Sequence, residues 1–306
     1  MVAWVATKEA MVSRQRRKTT PGSPQQLIGP GTDPSTCIAV GGELFDIGIP
    51  VLKWFEEGGF DGYTTERVVH STYNERADRW DERVVRGRRY GKRRGGPKAI
   101  DQIVLHHTGG DGDGAARVYN TLFRDRRLSV HFVVDDDGRV FQFLDVMEKA
   151  WHAGKANRQS VGIECNLFPL VDAKPNYYSE RRNDRTNNVP HDTATFVVHG
   201  RTFNSFVMPD VQVDSACRLS AGIWAALHRA TGLPRFEVAP LFPHDEGGQI
   251  PRTNIDAPQE HEGLIAHFHL TPRKIDPLGI DLDAFEHDVA KMHNLAADDA
   301  ACEQRS

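Results

Sequence analysis

Ile103-Val104-Leu105-His106-His107-Thr108-Gly109-Gly110 decides the fold of this 306-residue chain. The apolar, largely β-branched run from Ile100 to His107 predicts a strand, and the glycine pair ends it. Two adjacent histidines on a strand point to opposite faces. Only one of His106 and His107 can therefore face a given metal ion, and parity alone leaves both open.

Working outward, Ala115 to Phe123 has helical spacing, with Ala115, Val118 and Leu122 on one side. Val130–Val134 and Val140–Leu144 flank Asp136-Asp137-Gly138, a tight-turn signal that predicts a hairpin. Val161 to Leu167 reads as another strand. Residues 168–209 are polar and irregular, with a short apolar patch at Thr195–Val198, and read as an insertion. A helix is predicted from Val211 to Thr231, carrying Ala216, Leu219, Ile223, Leu227 and Ala230 along one stripe and stopped by Gly232 and Pro234. Residues 235–262 form a second polar insertion. A strand at Leu264–His269, a helix at Leu282–Leu295 and a tail over 296–306 complete the chain. Strands and helices mixed in this order, with one hairpin, predict an α/β domain with a mixed central sheet flanked by helices.

Upstream of this, residues 13–36 read as a loop or arm, while Phe45, Ile47, Ile49, Val51, Leu52, Trp54 and Phe55 predict that something packs between Ile38 and Tyr63. The run from Arg79 to Lys98 holds nine basic residues among glycines and reads as a solvated linker, with contact to an acidic polymer as the other reading. The expected organisation is thus an N-terminal extension with a basic linker (1–98), a main domain (99–295) and a tail.

Composition narrows the function. Lys plus Arg (38) nearly balances Asp plus Glu (42), so net charge does not favour nucleic acid. The four cysteines are widely spaced, with no Cys-x-x-Cys pair, and imply neither a disulfide framework nor a cysteine zinc knuckle. Val2–Ala6 is apolar but precedes Arg14, Arg16, Arg17 and Lys18, the reverse of a secretory signal, and no segment is long enough to span a bilayer. The expected location is the cytoplasm, or outside after lysis or a non-standard secretion route. No feature specifies an oligomeric state.

Five blocks carry a resemblance: Ile103 to Gly110; Leu128-Ser129-Val130-His131-Phe132-Val133-Val134 with Asp135 to Val140; Ala150-Trp151-His152-Ala153-Gly154; Ser160-Val161-Gly162-Ile163-Glu164; and Arg273-Lys274-Ile275-Asp276-Pro277. In this order they resemble the zinc-dependent N-acetylmuramoyl-L-alanine amidases, which include phage lysozyme-type and muropeptide amidases and the related peptidoglycan recognition proteins. The resemblance covers residues 99–295. It implies a zinc ion in a surface groove and cleavage of the amide between N-acetylmuramic acid and the L-alanine of peptidoglycan or muropeptides. A non-catalytic peptidoglycan-binding module and a zinc amidohydrolase with another amide substrate are the competing readings; a complete ligand set separates the first, and substrate screening the second.

The resemblance also implies the ligands: His106, as the first of its pair; His267, after the small Ala266; and Asp276, where the family uses Asp or Cys. His107 is then a buried histidine held by backbone, and His269, sharing strand parity with His267, is the fallback. Two neutral imidazoles and one carboxylate leave zinc one position short of four, which is the open-site arrangement of zinc hydrolases. Glu164, a carboxylate in an apolar strand, is read as the general base. Lys274 shares parity with Asp276 if the segment is extended, and is read as the stabiliser of negative charge on the intermediate. Trp151 and His152 are read as lining the substrate cleft, and His131 as supporting the site.

Overall fold

The structure, a computed structural model, describes residues 33–63, 100–110, 114–180 and 190–303, with side chains to 295. The Arg79–Lys98 run, most of the 13–36 arm and the middle of the first insertion lie outside the described residues.

Among the described residues ten strands form: β1 (Cys37–Val40), β2 (Glu43–Asp46), β3 (Val51–Lys53), β4 (Gln102–His107), β5 (Phe132–Val134), β6 (Val140–Gln142), β7 (Ser160–Cys165), β8 (Thr193–Val198), β9 (Arg201–Phe206) and β10 (Gly263–Ala266). Six make the central sheet, in the order β10-β4-β7-β5-β6-β3. The first four run parallel, β6 turns back antiparallel to β5 through the expected hairpin, and β3 lies parallel to β6, so the sheet is mixed.

Each face of the sheet is covered. Ile103, Leu105, Val161, Ile163, Leu264 and Ala266 project from alternate positions into the main core. There they meet Ala216, Leu219, Ile223 and Leu227 of the long helix Asp210–Thr231, and Phe285 and Val289 of the helix Leu282–Glu303. At ~1.5–3 kcal/mol for each fully buried aliphatic or aromatic side chain, this face dominates the stability. On the opposite face, Val104 and Ile265 pack against Ala153 and Ala156, while Val133 and Phe141 pack against Ala115, Val118 and Leu122. His106 shares the face of Val104, and His107 the face of the main core.

The structure revises four expectations. The folded unit takes in residues ahead of position 99, because β3 is the sheet's edge strand. The β1–β2 hairpin is tied to the sheet by Gln142, which donates to the Ala39 carbonyl and accepts from the Ala39 N–H, both at 2.8 Å. The stretch 168–209 is not irregular throughout. β8 and β9 pair antiparallel across His199-Gly200, both in the left-handed region (φ 52° and 69°), and such residues make a two-residue hairpin turn. The tail continues the last helix to Glu303. Finally, the strand at Leu264 stops at Ala266, and His267–Leu270 is one helical turn.

We number the helices α1 (Gly114–Tyr119), α2 (Tyr177–Glu180), α3 (Asp210–Thr231), α4 (His267–Leu270) and α5 (Leu282–Glu303). α1 runs directly into a π-helical segment, Asn120–Asp125. No helix among the described residues is long and apolar enough to cross a membrane.

Candidate metal centre

Three neighbouring parallel strands deliver the site. His106 is next to last on β4, Glu164 next to last on β7, and His267 follows directly on the end of β10. His106 and Glu164 are paired in register, so their side chains leave the same face. Functional groups collect at this carboxyl edge because loops and helix starts there are free to vary while the strands hold position.

His106 Nδ1 lies 2.9 Å from His267 Nδ1 and 3.0 Å from Asp276 Oδ2, and His267 Nδ1 lies 2.7 Å from the same carboxylate oxygen. Among the described residues this is the one group of three metal-ligating side chains whose donor atoms converge, and all three are buried. Two imidazole nitrogens and a carboxylate oxygen aimed at one point fit a divalent transition metal. Burial resists ionisation of Asp276, but the close approach of the His106 and His267 imidazoles outweighs it and holds the carboxyl well below the usual carboxylate range. Burial, then the neighbouring His267, lowers His106 to about 4, so its ring is neutral, the form that ligates metal.

The alternates are engaged elsewhere. His107 Nδ1 accepts from the Leu278 N–H at 2.8 Å and so anchors the chain just after Asp276. His269 accepts from the Ala266 N–H and donates to the Pro251 carbonyl. The helical turn, not strand parity, separates His267 from His269: two residues on a helix lie about 200° apart.

Glu164 is 8% exposed, and its Oε2 has no hydrogen-bond partner among the described residues. Burial raises its carboxyl to about 8; Asp276 adds to the rise, while Lys274 and Arg126 oppose it. Lys274 does not lie on an extended segment, since its N–H bonds the Thr271 carbonyl in a turn, yet it lines the same groove as Asp276 and Glu164.

Trp151 and His152 line the groove, and the Lys149 ammonium sits 3.5 Å over the Trp151 ring. His131 does not reach it. It is fully buried, donates to the Glu148 carbonyl at 2.7 Å and accepts from the Gly162 N–H at 2.9 Å, so it has no face for a substrate. Sequence reading missed Arg117 and Arg126, which line the groove from α1 and from the end of the π-helical segment. The Ala115–Phe123 periodicity pointed only to the buried side of that element.

Fold and site together define an α/β domain with a buried three-donor position that could hold a metal ion. Within that class the chain belongs to the N-acetylmuramoyl-L-alanine amidase family, whose model matches residues 96–277, more than half of the chain. Among solved structures it is similar to AmiD from E. coli in complex with the substrate anhydro-N-acetylmuramic acid-L-Ala-D-gamma-Glu-L-Lys, at 19% identity and TM-score 0.38, covering 65% of this chain and 61% of that one. It is also similar to AmpDh3 from Pseudomonas aeruginosa in complex with anhydromuramic pentapeptide, at 16% identity and TM-score 0.37, covering 65% and 63%. The endolysin of bacteriophage Ph2119 from Thermus scotoductus matches at 16% identity and TM-score 0.36, over 78% of this chain and 99% of that one. The chain thus spans less than two thirds of the first two. No curated protein sequence matches it.

Proposed function

We propose that this protein is a zinc-dependent amidase that hydrolyses the bond between N-acetylmuramic acid and L-alanine in peptidoglycan or muropeptides. One observation carries the reading: a buried three-donor metal position stands beside a second carboxylate, Glu164, that is not spent on the metal. A protein that only bound its ligand would have no use for an unpaired buried carboxylate there, which costs several kcal/mol to desolvate.

His106, His267 and Asp276 would hold the zinc, which would supply Lewis acidity to polarise a carbonyl and lower the pKa of water to ~7. Glu164 takes the proton of the attacking water and returns it to the departing amine of L-alanine. Burial makes this carboxylate a stronger base than an ordinary one, which favours its taking the proton from water, and once protonated it can hand that proton to the amine. Lys274, on the groove wall, meets the negative charge that develops on the amide oxygen. Arg117 and Arg126 add positive charge to the groove lining, suited to a peptide bearing carboxylates.

The test is purified protein incubated with muropeptides, with and without zinc, and products read by mass. Release of a free stem peptide beginning at L-alanine, abolished by chelator and restored by zinc, is expected. Intact substrate with zinc-loaded protein, or cleavage at another bond, overturns the assignment.

A further inference from the structure

His106 turns one ring nitrogen toward His267 and Asp276. Its other nitrogen, Nε2, lies 2.9 Å from His152 Nδ1. The far nitrogen of His152, Nε2, lies 3.2 Å from Ser160 Oγ, and the Ser160 hydroxyl donates to the Ala156 carbonyl at 2.8 Å.

The proton order along this chain follows from its last member. A carbonyl only accepts, so the Ser160 proton goes to Ala156, and the Ser160 oxygen accepts from His152 Nε2. His152 Nδ1 is then the bare nitrogen, and His106 donates to it from Nε2. This leaves the His106 Nδ1 lone pair pointing at the metal position.

The geometry points to His152 as the positioning residue that fixes the ring orientation and tautomer of His106, with Ser160 fixing His152 in turn. The inference rests on the reading of His106, His267 and Asp276 as metal ligands.

Two further features of the fold serve the same contact. Ser160, Gly162 and Glu164 are alternate residues of β7 and share a face. A Cβ on Gly162 would lie 2.7 Å from His152 Nδ1, so the position is kept empty for that ring. On the other side, Asn157 Oδ1 accepts from the backbone N–H of His152 at 3.0 Å and of Ala153 at 2.6 Å, holding the loop that carries the imidazole. The Ser-Val-Gly-Ile-Glu strand therefore supplies an acceptor for His152, room for it, and the carboxylate beside the metal position. Metal-ligating histidines generally use the second nitrogen in this way, through a carboxylate, a carbonyl or water; here a second histidine takes that place.

The experiment measures zinc affinity of the full chain by competition with a chromophoric chelator, together with the visible spectrum of the Co2+ form and apo-protein melting. His152→Ala is expected to bind zinc about 10- to 100-fold more weakly and to change the Co2+ spectrum, with the apo-protein still melting cooperatively. His152→Asn, whose Oδ1 can accept where Nδ1 did, should recover most of the affinity. Gly162→Ala, which crowds the ring and touches no ligand, should weaken zinc in the same direction, and so should Ser160→Ala to a smaller degree. These two variants keep the test valid if His152→Ala fails to fold.

A His152→Ala protein within about twofold of wild-type affinity, losing only substrate affinity through KM, overturns the inference and returns His152 to the cleft wall. So does an equal loss in the Asn and Ala variants. Wild-type protein that takes up no zinc overturns the metal reading, and this inference with it.

Discussion

Glu164 stands in register opposite His106 on the neighbouring parallel strand, so a carboxylate and an imidazole of the candidate metal position leave the same face of the sheet side by side. That pairing sets the first prediction. Glu164→Gln keeps the shape of the site but cannot accept a proton. It is expected to retain stoichiometric zinc while turnover falls by about 100-fold or more, read by metal analysis and product mass on the same sample. Unchanged turnover would remove Glu164 as the base.

The histidines sort by what they touch. His106→Ala and His267→Ala are expected to lose zinc. His269→Ala should keep it and lose stability instead, by about 2–4 kcal/mol, because the Ala266 N–H and Pro251 carbonyl would be left without their partner. Metal content and denaturant midpoints of the three variants check this; zinc loss in His269→Ala would contradict the ligand choice.

Gln142 joins β6 to the β1–β2 hairpin by two buried hydrogen bonds to one residue, Ala39. Gln142→Leu fills the same space but leaves both groups of Ala39 unpaired. We expect a loss of about 2–4 kcal/mol in urea unfolding, with zinc still bound. An unchanged midpoint would mean that the hairpin contributes little to the domain.

Asp135 is buried at the start of α1, where its Oδ2 accepts from the Ala115 N–H. Burial raises its carboxyl to about 7; Asp137 and Asp136 push the same way, against the Ala115 N–H and Arg139. An aspartate starts near 3.8 when unperturbed, so between about pH 4 and 7 the folded chain binds more protons than the unfolded one. Its contribution to stability therefore falls as pH rises through that window. Asp135→Asn retains an acceptor for Ala115 without a charge, and should be more stable than wild type at pH 8 but not at pH 4. Parallel pH profiles for the two proteins would contradict this.

Much of the fold was legible because it is written in local signals. The β5–β6 hairpin follows from Asp136-Asp137-Gly138, and α3 from a 3.6-residue apolar stripe that stops at Gly232, whose φ of 63° ends the helix. The β8–β9 hairpin escaped notice because its strands are largely exposed, and because His199-Gly200 is a weaker turn signal than Asn-Gly or Asp-Gly. Short edge strands such as β3 carry too few residues to show a period. At the site, His106, His267, Asp276, Glu164 and Lys274 were found through ordered motifs. The His106–His152 contact could not be, since it joins a strand to a loop 46 residues on and depends on ring orientation. The strand parity assumed for His267 and His269 failed because the chain begins a helical turn at His267 itself.

Anomalous diffraction at the zinc edge, from crystals of the full chain grown with zinc, tests the central claim most directly. The account predicts one strong peak bonded to His106 Nδ1, His267 Nδ1 and Asp276 Oδ2, with Glu164 nearby and unligated. A zinc-loaded crystal with no peak among those three atoms, or with the metal held by another donor set, would contradict it.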